Sequence, residues 1–188
     1  MRLRSRRPTM PEVRVSPGEA GRWHVDIVAR DRVGVLAAIA GAFHLCGLEI
    51  ISAAISTTDT GLLSDRFTVR SATPPNQVRL RDQVVAAWLA TPEWDPVEDA
   101  SVTFEPNDGT TSCEVRATDR PGLLRDLAAA CTSVGVGIQA ARVSTELGAA
   151  CDRFELVDRR GRPLDLLAQD AVRDAITGAR GPLARSRS

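Results

Sequence analysis

The sequence predicts an α+β protein built from two βαββαβ units, each with two helices on one face of a four-stranded antiparallel sheet. Two observations lead there: an internal repeat, and a regular succession of strand-like and helix-like apolar patterns within each copy. Asp31-Arg32-Val33-Gly34-Val35-Leu36 returns 88 residues later as Asp119-Arg120-Pro121-Gly122-Leu123-Leu124. Residues 31–58 laid on 119–146 give 11 identities in 28 positions, and after one deletion Asp65-Arg66-Phe67 matches Asp152-Arg153-Phe154. A period this long, repeated twice, describes two whole domains rather than a solenoid.

In the first copy, Trp23 to Ala29 alternates as a strand does, with Trp23, Val25 and Ile27 on one face. From Val33 to Cys46 the apolar positions Leu36, Ile39, Ala40 and Phe43 recur at helical spacing, and Gly47 suits the left-handed stop that follows. Ile50 to Thr58 is β-branched and alternating, Thr60-Gly61 turns the chain, and Leu63 to Ser71 makes the hairpin partner. Asn76 to Ala90 reads as the second helix and Val102 and Phe104 as the closing strand. The second copy repeats the order with strands at 111–118, 136–145 and 149–158 and helices at 121–134 and 164–177. No closing strand is evident after Gly178, so its sheet edge is predicted to stay open for pairing between domains or between chains. The predicted organisation is a basic, solvent-facing tail at 1–21, a first domain at 22–105, a second at 110–178 and a tail at 179–188. The copies are expected to face each other pseudosymmetrically, and the open edge predicts a homodimer.

At 188 residues each domain is small, and with four Phe, three Trp and no Tyr the cores must be aliphatic. Lys plus Arg equals Asp plus Glu at 24 each, leaving no general cationic field for nucleic acid. No run of apolar residues is long enough to span a membrane and no secretory h-region follows the basic start, so no membrane partner is expected and the location is expected to be cytoplasmic. Cys46, Cys113, Cys131 and Cys151 are widely spaced, without a CxxC pair, and only His24 and His44 accompany them; they read as buried small apolar residues, and no metal or cofactor is expected. Nor is a nucleophile with its base, a dinucleotide loop or a triphosphate loop written, so the chain is expected not to be an enzyme.

What does recur is the strand–helix junction. Gly34 and Gly122 leave the first helical turn without a side chain, where the unpaired N–H groups and the helix dipole favour a carboxylate. Asp31 and Asp119 can either cap these helices or hold a ligand ammonium group, and Pro121 suits the first helical position. Capping alone needs no ligand, so both readings stand.

The stretches DRVGVLAAIAGAFHLCGLEIISAAISTTDTG and DRFTV, and DRPGLLRDLAAACTSVGVGIQAARVSTELG and DRFELVD, resemble ACT domains, which are ferredoxin-like. As a pair, with Val102-Thr-Phe-Glu-Pro-Asn-Asp leading into the second, they are similar to the C-terminal regulatory tandem of bacterial protein-PII uridylyltransferase, without its catalytic domains. The resemblance covers about residues 22–178. It implies a non-catalytic regulatory protein that senses a small metabolite, an amino acid with glutamine as one candidate, at Asp31, Gly34, Val35 and Leu36 in copy one and Asp119, Gly122, Leu123 and Leu124 in copy two. It also implies an unidentified regulated protein as partner. The alternative is a structural or adaptor module that pairs with another protein and binds no ligand.

Overall fold

Mostly apolar residues at alternate positions place eight strands in one continuous antiparallel sheet among the described residues. The computed structural model describes residues 10–19, 21–30, 32–56, 61–90, 93–146 and 148–179. The basic stretch 1–9, residues 180–188, the turn residue Thr60 and the site candidate Asp31 lie outside the described residues.

In chain order the elements are β1 (Glu12–Pro17), β2 (Arg22–Arg30), α1 (Val35–Leu45), β3 (Glu49–Ser56), β4 (Leu62–Arg70), α2 (Gln77–Leu89), β5 (Ser101–Asn107), β6 (Thr110–Thr118), α3 (Leu123–Ser133), β7 (Gly137–Glu146), β8 (Ala149–Val157) and α4 (Leu166–Thr177). The sheet runs β1-β2-β4-β3-β7-β8-β6-β5, so each unit contributes four strands and the units meet where β3 pairs with β7. The helices pack in the order α2-α1-α3-α4, with α1 against α3 across the unit boundary. Alternate residues of the central strands turn into this helical layer: Val25, Ile27 and Ala29 of β2, and Cys113 and Val115 of β6, belong to one core shared by both units.

Local chemistry sets the helix ends. Asn76 caps α2 by accepting the Arg79 N–H at 3.0 Å, and Asp165 caps α4 by accepting the Ala168 N–H at 2.8 Å. Both inner strands carry a bulge at the same point of the repeat, Ile51 in β3 and Gln139 in β7, just after each strand leaves its helix.

The edge strands differ from expectation. Glu12–Pro17, expected to be tail, is the outer strand of the first unit, with Val13 buried in the core. Ser101–Asn107, expected to close the first unit, instead pairs with β6 through a hairpin at Asp108-Gly109 and closes the second. The boundary expected between 105 and 110 therefore falls inside a hairpin. A hairpin before each central strand is the shorter connection, and it fills the position that a strand after the second helix would take. The second unit thus has its fourth strand, and the open edge on which the homodimer expectation stood is occupied. Both outer edges of the sheet are also blunted: Pro17 and Pro106 lack N–H groups, and the Val15 N–H donates to Gln77 Oε1 at 3.1 Å.

Candidate functional site

Each helix that follows a central strand starts on a glycine in the left-handed region, Gly34 at φ 90° and Gly122 at φ 84°. A β-carbon is strained there, which is why the repeat carries glycine at both places. Among the described residues no side chain caps either helix. Asp119 therefore does not act as the cap, and Pro121 precedes the cap instead of opening the helix. Val35, Leu36, Leu123 and Leu124 are buried beneath the first turns.

The two junctions are related by the pseudo-twofold axis between the units. Gly122 faces the His44 ring at the end of α1, and Gly34 faces Thr132 at the same position of α3. Around Gly122 opens a cavity of about 470 Å³, bounded by Asp119 to Arg125 of the second unit, by His44, Gly47, Leu48 and Ile50 of the first, and by Thr145, Ala150 and Asp152. It is the size of an ordinary small-molecule site. Of the residues predicted from sequence, the structure brings Asp119, Gly122, Leu123 and Leu124 to this cavity; Gly34, Val35 and Leu36 do not line it.

Charge is divided across the cavity lining. Arg120 and Arg125 supply guanidinium groups, both held by buried Asp126. Asp119, Asp152 and Glu49 supply carboxyls, Glu49 being paired with Arg70 at 2.5 Å. Asp152 is 1% exposed, and its Oδ1 accepts the Ser144 N–H at a long 3.4 Å. Burial, with the Asp119 charge adding to it, pushes the Asp152 carboxyl up to about 7. The lining thus offers partners to both an anionic and a cationic group.

The first junction is built differently. Arg32, the counterpart of Arg120, lies over the Trp88 ring at 4.4 Å from its centroid and donates to the Trp88 carbonyl. Ala37 and Ala38 stand where the second unit has Arg125 and Asp126. Gly47 borders open space, but at its counterpart Gly135 the Arg159 guanidinium lies where a β-carbon would go. Around the first junction Arg32 and Arg159 are thus engaged by this chain's own residues, Trp88 and Gly135.

Sequence reasoning missed His44, Arg125, Asp126 and Asp152. Two of them carry a legible signal: Asp152 falls on the inward parity of β8 with Ala150 and Phe154, and Asp126 interrupts the apolar face of α3 formed by Leu123, Leu127 and Ala130. A carboxylate at a core position is uncommon unless paired or functional. His44 and Arg125 reach the cavity only through the docking of the two units, which no local pattern encodes.

Among the described residues no group of three or more His, Cys, Asp or Glu is placed to hold a metal ion, and no helix is long and apolar enough to cross a membrane. The cysteines are free, and burial raises the thiols of Cys113 and Cys131, the latter to about 12.

No family model matches the chain. A bifunctional uridylyltransferase/uridylyl-removing enzyme of Azospirillum brasilense is 30% identical over 182 residues, covering 84% of this chain and 19% of that protein. The enzyme of the same name from Novosphingobium aromaticivorans is 30% identical over 168 residues, covering 77% and 18%. The chain thus spans about a fifth of the length of these curated relatives. Among solved structures, aspartate kinase from Synechocystis overlaps 74% of this chain and 24% of that one at a TM-score of 0.41 and 17% identity. Two repeated ferredoxin-like units and this homology together make the chain similar to a tandem of ACT domains and related to a stretch of the bifunctional uridylyltransferase/uridylyl-removing enzymes.

Proposed function

We propose that the chain is a non-catalytic amino-acid sensor with one ligand site, the cavity between the β6–α3 junction of the second unit and the end of α1 in the first. The observation that carries this reading is the composition of that cavity: an uncapped helix start at Gly122, the guanidinium residues Arg120 and Arg125, and the carboxyls of Asp119 and Asp152, at a boundary between units, with Glu49 taken up by Arg70. A zwitterion of amino-acid size finds a partner for each charge, its carboxylate toward the helix start and arginines, its ammonium toward Asp119 and Asp152. Because both units contribute lining, occupancy alters how they meet, and that change is what a regulated protein would read. Glutamine is one candidate, suggested by the related uridylyltransferases.

A structural role fits the first junction, where Arg32 is engaged by Trp88 and Arg159 by Gly135. The adaptor reading therefore applies to Gly34, Val35 and Leu36, and the sensing reading to Asp119, Gly122, Leu123 and Leu124. Isothermal calorimetry of the full chain against the twenty amino acids, with glutamine, glycine, serine and the branched-chain set first, tests the proposal. The expected result is saturable heat for one or a few of them. Silence from all at millimolar concentration contradicts it, since a Kd near 1 mM still corresponds to about −4 kcal/mol.

A further inference from the structure

Asp126 is wholly buried, yet it holds both guanidinium groups that line the cavity. Its Oδ2 lies 2.7 Å from Arg120 Nη1, and its Oδ1 accepts from Arg125 Nε at 2.8 Å and Nη2 at 2.6 Å. The same Oδ1 accepts the Asp95 N–H at 3.4 Å. One buried carboxylate thus holds two guanidinium groups. The other carboxylates beside them are exposed: Asp95, 3.7 Å from Arg125 Nη2 and 83% exposed, and Asp99, which interacts with the Arg120 charge, and solvent screens both.

Asp95 belongs to the segment 93–97 between the units, which is laid along the end of α4. Trp94 Nε1 donates to the Ala175 carbonyl at 3.2 Å, the Val97 N–H donates to the Ile176 carbonyl at 2.7 Å, and Pro96 packs against Gly178. Asp126 therefore stands between the cavity arginines and a strap that runs on into β5.

We infer that Asp126 is a positioning residue that presets Arg120 and Arg125 to receive the ligand's carboxylate and transmits occupancy of the site to the strap at 93–97. The inference rests on the ligand reading above. Preset guanidinium groups lose little side-chain freedom when the ligand arrives, and paired donors match the two oxygens of a carboxylate. An arriving carboxylate competes with Asp126 for the same N–H donors. The long Asp95 N–H bond is the contact most easily altered by that competition, and Trp94 is next to it.

The test uses the full chain, the amino acid that binds best in the calorimetric panel, and the α-amide of that amino acid as a probe lacking the carboxylate charge. Wild-type protein is expected to prefer the acid by about tenfold or more, the size of one charge-assisted hydrogen bond. Asp126→Asn, which keeps shape and loses charge, is expected to bring the two affinities within about threefold. In a Trp23→Phe, Trp88→Phe background, Trp94 emission is expected to change on saturation with the acid and to stay constant in Asp126→Asn. A merely structural role for Asp126 would lower both affinities together. An unchanged acid-to-amide ratio in Asp126→Asn, or Trp94 emission that stays flat while the wild type saturates, overturns the inference and leaves the ligand reading intact. If Asp126→Asn does not fold, Arg125→Gln at a half-exposed position tests the same preference. Absence of any binding by the wild type overturns the ligand reading itself, and this inference with it.

Discussion

Ala54 and Arg142 lie directly opposite each other on the paired strands β3 and β7, and they are the same position of the two repeats, 88 residues apart. Their neighbours pair in mirrored order, Ala53 with Val143 and Ile55 with Ala141, so the pseudo-twofold axis passes between Ala54 and Arg142. The ion pairs Asp26–Arg66 and Glu114–Arg153, at equivalent positions on the uncovered face of the sheet, repeat the symmetry at 2.6 and 2.8 Å. Duplication has produced two units that meet as two copies of one chain would.

Because that seam carries a shared sheet and a shared core, the two units should unfold together. Urea denaturation followed by far-UV circular dichroism and by tryptophan emission is expected to give coincident single transitions. Ile55→Asp places a charge at a buried seam position and is expected to cost about 3 kcal/mol or more. Two separated transitions in the parent protein would refute the shared core.

The glycine pair separates strain from binding. Gly34→Val and Gly122→Val both force a β-branched residue into left-handed geometry and should each cost at least about 1–2 kcal/mol. A β-carbon at Gly122 would stand 3.4 Å from the His44 ring and 3.7 Å from the Arg125 guanidinium, with the valine methyls entering the cavity, whereas one at Gly34 would meet the Thr132 methyl at 3.2 Å, away from the cavity. Calorimetry should find binding lost in the former and retained in the latter. Equal binding in both variants would misplace the site.

Asp152 gives the site a pH dependence. Its folded value, about 7, is above the unfolded value, so the native state holds the extra proton between roughly pH 4 and 7 and this group's contribution to stability falls as pH rises through that window. A ligand ammonium beside Asp152 and Asp119 favours the ionised form, so binding releases a proton and affinity should rise with pH through about 7. Calorimetry in buffers of different ionisation enthalpy measures the proton release, and Asp152→Asn should abolish it. Affinity that falls over the same range would reverse the assigned polarity of the cavity.

Leu127→Ala and Leu167→Ala distinguish core from surface. Leu127 is 1% exposed and should cost about 2–5 kcal/mol on truncation; Leu167 is 75% exposed and should change stability by less than about 0.5 kcal/mol. Thermal or urea unfolding of the two variants checks both.

Most of the fold was legible because local chemistry encodes it. Alternation from Trp23 to Ala29, the periodic apolar stripe from Leu36 to Phe43 and the glycine at 47 each translate into the expected element within a residue or two. The edge strands were misplaced because β1 and β5 are short and exposed on one side, so Val13 and Val15, or Val102 and Phe104, carry too little pattern to say which neighbour they join. Pairing is decided by hairpin geometry instead. At the site, Asp119 and Gly122 were visible through the repeat. The difference between the two junctions was written only in part, as Ala37 and Ala38 against Arg125 and Asp126; the rest depends on where the Arg32, Arg125 and Arg159 side chains point after the units have docked.

A crystal structure of the chain with the amino acid that gives saturable heat tests the central claim most directly. The account predicts one molecule per chain between Gly122 and His44, its carboxylate facing the start of α3 with Arg120 and Arg125 and its ammonium facing Asp119 and Asp152. Ligand density at the Gly34–Thr132 junction, or anywhere outside the cavity at Gly122, would contradict it.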